Sequence, residues 1–203
     1  MAKVQSKARK RDEPVRIQRL LDFDEVERLR TWALKAAAAG DREGVLVVTL
    51  LGTGGRRFEV AALRCDSVRM GPGGPEVYFH ETKGGKKAAV PISNDTWKIL
   101  EAWRKGRPAS APLIPTARGD GSDFMHPATL WRTFKLTLKR AGVTRNVGVH
   151  ATRHAAGFLL LRATGDLSKV QHFLRHASFN TTATWYQHVH MPDVRAGLEK
   201  AGI

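Results

Sequence analysis

Cysteine, acidic residues and tyrosine are all scarce in this chain of 203 residues, which has one Cys, 19 Asp and Glu against 34 Lys and Arg, and two Tyr. The lone Cys65 excludes an internal disulfide and a cysteine-based zinc cluster, which fits a reducing cytosol; among apolar neighbours it reads as a small buried hydrophobe. No apolar run approaches the length of a membrane span, and no apolar leader opens the chain, so a membrane is not the expected partner. The shortage of acid leaves a formal charge of +15. An excess of that size calls for a polyanion, and with the membrane set aside that polyanion is DNA or RNA.

The length suits one compact unit. Residues 1–19 (MAKVQSKARKRDEPVRIQR) are rich in Lys and Arg, poor in apolar side chains and broken by Pro14; they read as a flexible basic arm, leaving 20–203 as the folded domain. Phe23, Val26, Leu29, Ala33 and Leu34 recur at helical spacing behind a cap at Asp22 or Asp24. Further helices are predicted over 43–51, ending at Gly52, and over 57–63. The period then changes: 67–70, 76–80 and 88–92 read as strands separated by GPGGP and TKGGKK. Helical pattern returns over 95–105 and 127–141, around a Pro-rich loop, and from 150 to the end with breaks at Gly165, near Ser178 and at Pro192. The expected fold class is α+β, mainly α-helical with a small three-stranded antiparallel sheet.

The chemistry concentrates in HATRHAAGFLLLRATGDLSKVQHFLRHASFNTTATWYQHV, from His150 to Val189. On a helix His150 and Arg153 share a face. Alone, such a pattern is more often a solvated face with one satisfied core histidine; His176 and Tyr186 downstream, in so basic a chain, shift the balance towards a site. Together these residue types suit phosphoryl transfer without a metal. A phenol with a pKa of about 10 needs a proton acceptor and a neutralised phosphate before it attacks. Arginine's rigid fork clamps two phosphate oxygens, and histidine exchanges protons near neutral pH. His176, His188 and His190 hint at a metal site, but no carboxylate or cysteine completes a ligand set, so neither metal nor cofactor is expected.

At these residues the chain resembles the tyrosine recombinases, the lambda-integrase family. HATRH matches the family's HxxRH box, LRHASFNTT its LGHxSxxTT box, and WYQHV the box that carries the tyrosine; TGGRRFEVAAL is similar to TGLRxSEL, and TKGGKKAAVPI to the GKGxKxRxVPL hairpin. By spacing alone neither Arg56 nor Arg57 stands out, and Lys83 has rivals in Lys86 and Lys87; the match of boxes selects Arg56, Glu59 and Lys83. The resemblance runs from about Leu21 to Val189. It implies that Arg56 and Arg153 bind the scissile phosphate, that Glu59 is the acidic residue accompanying Arg56, and that Lys83 protonates the leaving 5′ oxygen; by its spacing, Glu59 is either a solvated helix residue or an ion-pair partner that orients Arg56. It further implies that His150 and His176 assist the phosphate and proton transfers, and that Tyr186 becomes linked to the 3′ phosphate. His154 and His172 are expected to be scaffold and surface residues, and Tyr78 a strand aromatic.

On the same resemblance the substrate is double-stranded DNA, the working assembly a tetramer on DNA passing through a Holliday junction, with accessory DNA-bending proteins as further partners and the cytoplasm, at the nucleoid, as the location. A type IB topoisomerase and an inactive DNA-binding remnant are the rival readings. Three departures stand beside the matches: Arg175 replaces the glycine of the LGH box, adding a charge that could reach DNA; Gly55 replaces an apolar residue, loosening a packing position; and the interval from His176 to Tyr186 is one residue longer than in many members of the family. No separate core-binding domain is evident ahead of the catalytic pattern, so the chain reads either as a minimal enzyme or as a catalytic fragment.

Overall fold

A computed structural model describes residues 20–82, 85–117 and 123–176. The fold starts with a reciprocal cap. The Asp22 carboxylate accepts the Glu25 amide at 2.9 Å, and the Glu25 carboxylate accepts the Asp22 amide at 3.0 Å, which launches α1 (Phe23–Ala38). Val26, Leu29, Ala33 and Ala37 line its buried face.

Helix α2 (Arg42–Thr53) is buried continuously from Gly44 to Leu50, as its unbroken apolar run requires. It crosses α1 closely, because a Cβ at Gly44 would lie 2.4 Å from the Ala37 nitrogen. The two threonines inside it return their hydroxyls to their own helix, Thr49 to the Val45 carbonyl at 2.8 Å and Thr53 to the Thr49 carbonyl at 2.7 Å. The helix does not end at Gly52, as the sequence pattern suggests. It runs to Thr53 and turns at Gly54, whose φ of 56° is left-handed. Gly52 serves packing instead: a Cβ there would come within 2.8 Å of the Thr96 methyl.

After the short α3 (Arg57–Ala61) and a 3₁₀ turn at Cys65–Ser67 come β1 (Val68–Gly71), β2 (Gly74–Phe79) and β3 (Ala88–Pro91), an antiparallel sheet in that order. The register sets Val68 opposite Val77 and Val77 opposite Val90, so that these valines and Phe79 face the core. Thr82 pinches the β2–β3 turn, its amide and hydroxyl each reaching the Lys86 carbonyl at 2.8 Å. Cys65 is buried, and burial raises its thiol pKa, as expected of a packing residue. Tyr78 is a half-buried strand residue with the Arg69 guanidinium 4.0 Å above its ring.

Helices α4 (Asn94–Arg104), α5 (Pro127–Arg140), α6 (His150–Thr164) and α7 (Leu167–Leu174) complete the seven α-helices among the described residues. Three of them, α4, α5 and α6, pack on α2, which makes α2 the axis of the domain. Two arginines fix the approach to the site. Arg140 joins the end of α5 to Asp41 and Glu43 at the start of α2, at 2.6 and 2.5 Å. Arg145, in the segment before α6, pairs with Asp22 and Glu25 at the start of α1, both at 2.9 Å. One apolar cluster unites α1 to α5 with the sheet; a smaller one, Leu161, Val170 and Leu174, lies between α6 and α7, and Phe173 packs against both. The observed class is the expected α+β arrangement. The basic arm and everything after His176, including the expected helical breaks near Ser178 and Pro192, lie outside the described residues.

Candidate active site

Arg56 stands at the N-cap of α3, where the chain is still extended. Its partner is one turn on: Glu59 accepts the Arg56 backbone amide at 2.8 Å through Oε2 and the Arg56 guanidinium at 2.8 Å through Oε1. The Glu59 side chain is only 4 % exposed, against 32 % for Arg56, so the buried carboxylate holds a guanidinium that still reaches solvent. Burial acts to raise the Glu59 pKa, but the hydrogen bonds from Arg56 and the charges of Arg175 and Arg56 outweigh it and keep the carboxyl below its ordinary value.

Arg153 enters from the middle of α6 and is 1 % exposed. It donates from Nη1 to the Gly54 carbonyl at 2.6 Å and from Nη2 to the Leu174 carbonyl. The first bond reaches the turn that ends α2, two residues before Arg56; the second reaches the last turn of α7, two residues before His176. A single guanidinium thus joins both halves of the site. The backbone between them is correspondingly tight. A Cβ at Gly54 would meet the Leu174 side chain at 2.8 Å, and one at Gly55 would meet Val60 at 2.7 Å. Gly55 therefore does not loosen its position; it is closely packed, and a larger residue there would require the Val60 side chain to shift.

Three histidines gather around these arginines. His150 opens α6, and its ring meets that of His154 edge to face with centroids 4.6 Å apart. Desolvation, with the nearby charges of Arg153 and Arg56, lowers the His150 pKa. Burial and the neighbouring His150, Arg153 and His176 bring His154 down to about 3. Burial, Arg153, Arg56, His150 and Arg175 bring His176 down to about 4. All three imidazoles are therefore neutral at pH 7, able to accept a proton, and an arriving phosphate would favour their charged forms.

Phe58 is 64 % exposed between two clefts that both reach Arg56. One, of about 350 Å³, is bordered by Trp131 and His150. The other, of about 370 Å³, is bordered by Glu59, Glu81 and Thr82, the last being the residue before Lys83. Sequence reasoning did not single out Phe58 or Trp131; the available signal was a phenylalanine where the TGLRxSEL box carries serine.

Of the residues expected at the site, Arg56, Glu59, His150, Arg153 and His176 come together, while Lys83 and Tyr186 lie outside the described residues. His172 is exposed and His154 half-buried. Arg175 does not reach outward: it turns in and pairs with Glu59 at 2.7 Å. No group of metal-ligating side chains occurs among the described residues, and none of their helices is long and apolar enough to cross a membrane.

This arrangement can be compared with known proteins. The model of the Phage integrase family matches residues 19–192. The chain belongs to the phage integrase family. Within that family it is 28 % identical over 191 residues to the tyrosine recombinase XerA of Pyrococcus horikoshii, covering 94 % of this chain and 64 % of the relative. Its fold is similar to that of the XerH site-specific recombinase in a post-cleavage complex with a palindromic difH substrate, with a TM-score of 0.70 and 24 % identity over 96 % of this chain and 55 % of the other. It is also similar to a lambda integrase tetramer bound to a Holliday junction, with a TM-score of 0.62 and 18 % identity over 82 % of this chain and 47 % of the other. The chain thus spans about half to two thirds of the length of these phage integrase relatives.

Proposed function

We propose that this chain is the catalytic part of a site-specific DNA recombinase that cleaves and rejoins strands through a 3′-phosphotyrosyl intermediate. The observation that carries the reading is the convergence of Arg56, Arg153, His150 and His176, which lie far apart in sequence, on one basic site. Family membership supports it.

In this reading Arg56 and Arg153 bind the non-bridging oxygens of the scissile phosphate and stabilise the charge that builds up at the pentacoordinate phosphorus. Arg56 is preset by Glu59. His150 and His176, neutral before DNA binds, accept a hydrogen bond or proton as the phosphate enters. The Tyr186 hydroxyl attacks phosphorus: the Oη–P bond forms, the P–O5′ bond breaks, the phenolic proton passes to a site histidine, and Lys83 gives a proton to the departing 5′ oxygen. A 5′ hydroxyl from a second strand then attacks the phosphotyrosine, restoring a phosphodiester and the free tyrosine. The phosphotyrosyl bond conserves the energy of the original linkage, so no step calls for ATP or a bound metal.

Four copies on two duplexes, exchanging strands through a Holliday junction, form the proposed assembly, and accessory DNA-bending proteins are proposed partners in arranging it. The lambda integrase tetramer on such a junction supports this arrangement. The basic residues 1–19 are proposed to add phosphate contacts ahead of a catalytic domain from 20 to 203, acting on DNA in the cytoplasm at the nucleoid.

The test uses duplexes selected by the protein from a randomised pool. Two such duplexes of different length, incubated with the protein, are expected to yield recombinants of exchanged length. Relaxation of supercoils without exchange would instead assign a topoisomerase, and binding without any strand breakage would assign a DNA-binding remnant.

A further inference from the structure

Arg175 is the one residue other than glycine with a positive φ among the described residues, 54°, at the left-handed turn that ends α7. A Cβ is disfavoured there, and the LGH box that this segment resembles carries glycine at this position. The side chain is just as unusual. It is only 14 % exposed, and its guanidinium lies 4.6 Å from the centre of the Phe79 ring. Nη2 donates to Glu59 Oε2 at 2.7 Å, while Nε and Nη1 are buried with no hydrogen-bond partner among the described residues.

Glu59 is therefore held by two guanidiniums at once, Arg56 on Oε1 and Arg175 on Oε2. Each does a different job. A carboxylate paired with Arg56 alone would orient it but also cancel much of its charge. A second guanidinium on the opposite oxygen pins the carboxylate plane and offsets its charge, which leaves the Arg56 field available to an incoming phosphate. Backbone strain of this kind persists where the surroundings over-determine it, commonly at functional sites.

We infer that Arg175 is a positioning residue of the phosphate site, acting through Glu59 to orient Arg56 and preserve its charge. This rests on the phosphate-binding role proposed for Arg56. It assigns a task to the position that departs most visibly from the family box.

The experiment compares wild type, Arg175→Gly, Arg175→Gln, Arg175→Lys, Glu59→Gln and the double variant Glu59→Gln/Arg175→Gly. Urea unfolding gives stability, NMR titration of the site histidines with inorganic phosphate at pH 7 gives oxyanion affinity, and single-turnover formation of the covalent adduct on selected DNA gives the rate. Arg175→Gly relieves the backbone strain and is expected to unfold at the same or a higher urea concentration than wild type. It should nevertheless bind phosphate about tenfold more weakly and form adduct at least about tenfold more slowly at saturating DNA. Arg175→Lys should recover part of both losses, and Arg175→Gly should add nothing once Glu59→Gln is present. Arg175→Gln reads the same loss should the glycine variant fail to fold. Wild-type phosphate affinity in folded Arg175→Gly and Arg175→Gln overturns the inference and leaves Arg175 a helix cap. Arg175-dependent phosphate binding without an adduct on any DNA keeps the inference and removes the recombinase reading instead.

Discussion

Arg153 donates to the backbone carbonyl of Gly54 at 2.6 Å, across 99 residues of sequence. Because Gly54 ends α2 and leads into Arg56, this bond makes the position of one phosphate-binding candidate depend on the other. The acceptor is a main-chain atom, so the link depends on the arginine and on the glycine turn alike.

The two arginines should separate in their effects on stability. Arg153 is buried with two carbonyl acceptors, and Arg153→Ala is expected to lower the free energy of unfolding by about 2–4 kcal/mol through unpaired carbonyls and a cavity. Arg56 is partly exposed, and Arg56→Ala should stay within about 1 kcal/mol of wild type. Both should slow adduct formation by roughly 10²–10³. Urea unfolding and single-turnover cleavage measured on the same preparations check the pair; equal stability losses would contradict the geometry.

The glycine turn should resist side chains. Gly54→Ala puts a Cβ at φ 56° and against Leu174, and Gly55→Ala puts one against Val60. Each is expected to cost about 1–3 kcal/mol, read as a lower thermal midpoint. A neutral result at Gly55 would mean that the Val60 side chain can give way.

Acid should weaken the fold before carboxylates titrate. Histidines in the unfolded chain take up protons around pH 6.5, whereas His176 resists to about 4 and His154 to about 3. The unfolded state then binds more protons than the folded one, so stability falls as pH drops from 6.5 towards 4 and is unaffected by these groups above 7. Urea midpoints at pH 7.5, 6 and 5 give the slope, and His176→Asn or His154→Gln should flatten it. An unchanged slope in both variants would place the effect elsewhere.

DNA affinity should fall steeply with salt. The chain carries +15, and each phosphate it neutralises contributes about −0.9 to the slope of log K against log salt. Fluorescence anisotropy from 50 to 200 mM salt measures this, and deletion of residues 1–19 is expected to make the slope shallower. A slope untouched by the deletion would take the arm out of the interface.

Much of this was readable in the sequence wherever a signal is local. The cap of α1, open between Asp22 and Asp24 in the sequence and made by Asp22 in the structure, the three strands and the boxes carrying Arg56, Glu59, His150, Arg153 and His176 all report short-range physics or a matched motif. The misreadings came where one residue type serves two purposes. Gly52 and Gly54 look alike in sequence, and only the Thr96 side chain, over forty residues on, makes the first a packing glycine and the second a cap. Gly55 looked like a loosened position for the same reason, since the Val60 and Phe79 atoms that crowd it follow from the turn. Arg175 looked like a surface charge because no local pattern records a buried Glu59 waiting across the fold. The Arg153 bonds were invisible because a carbonyl acceptor has no letter in the sequence.

The most direct test of the whole account is a covalent one. Wild type incubated with a selected duplex, nicked just 3′ of the cleavage position so that the 5′-hydroxyl fragment diffuses away, is denatured and digested, and the peptides are weighed. A nucleotide remnant on the peptide bearing Tyr186, attached through a 3′ phosphate and absent from Tyr186→Phe, is the expected result. A wild type that binds the same duplex and leaves Tyr186 unmodified would contradict the account.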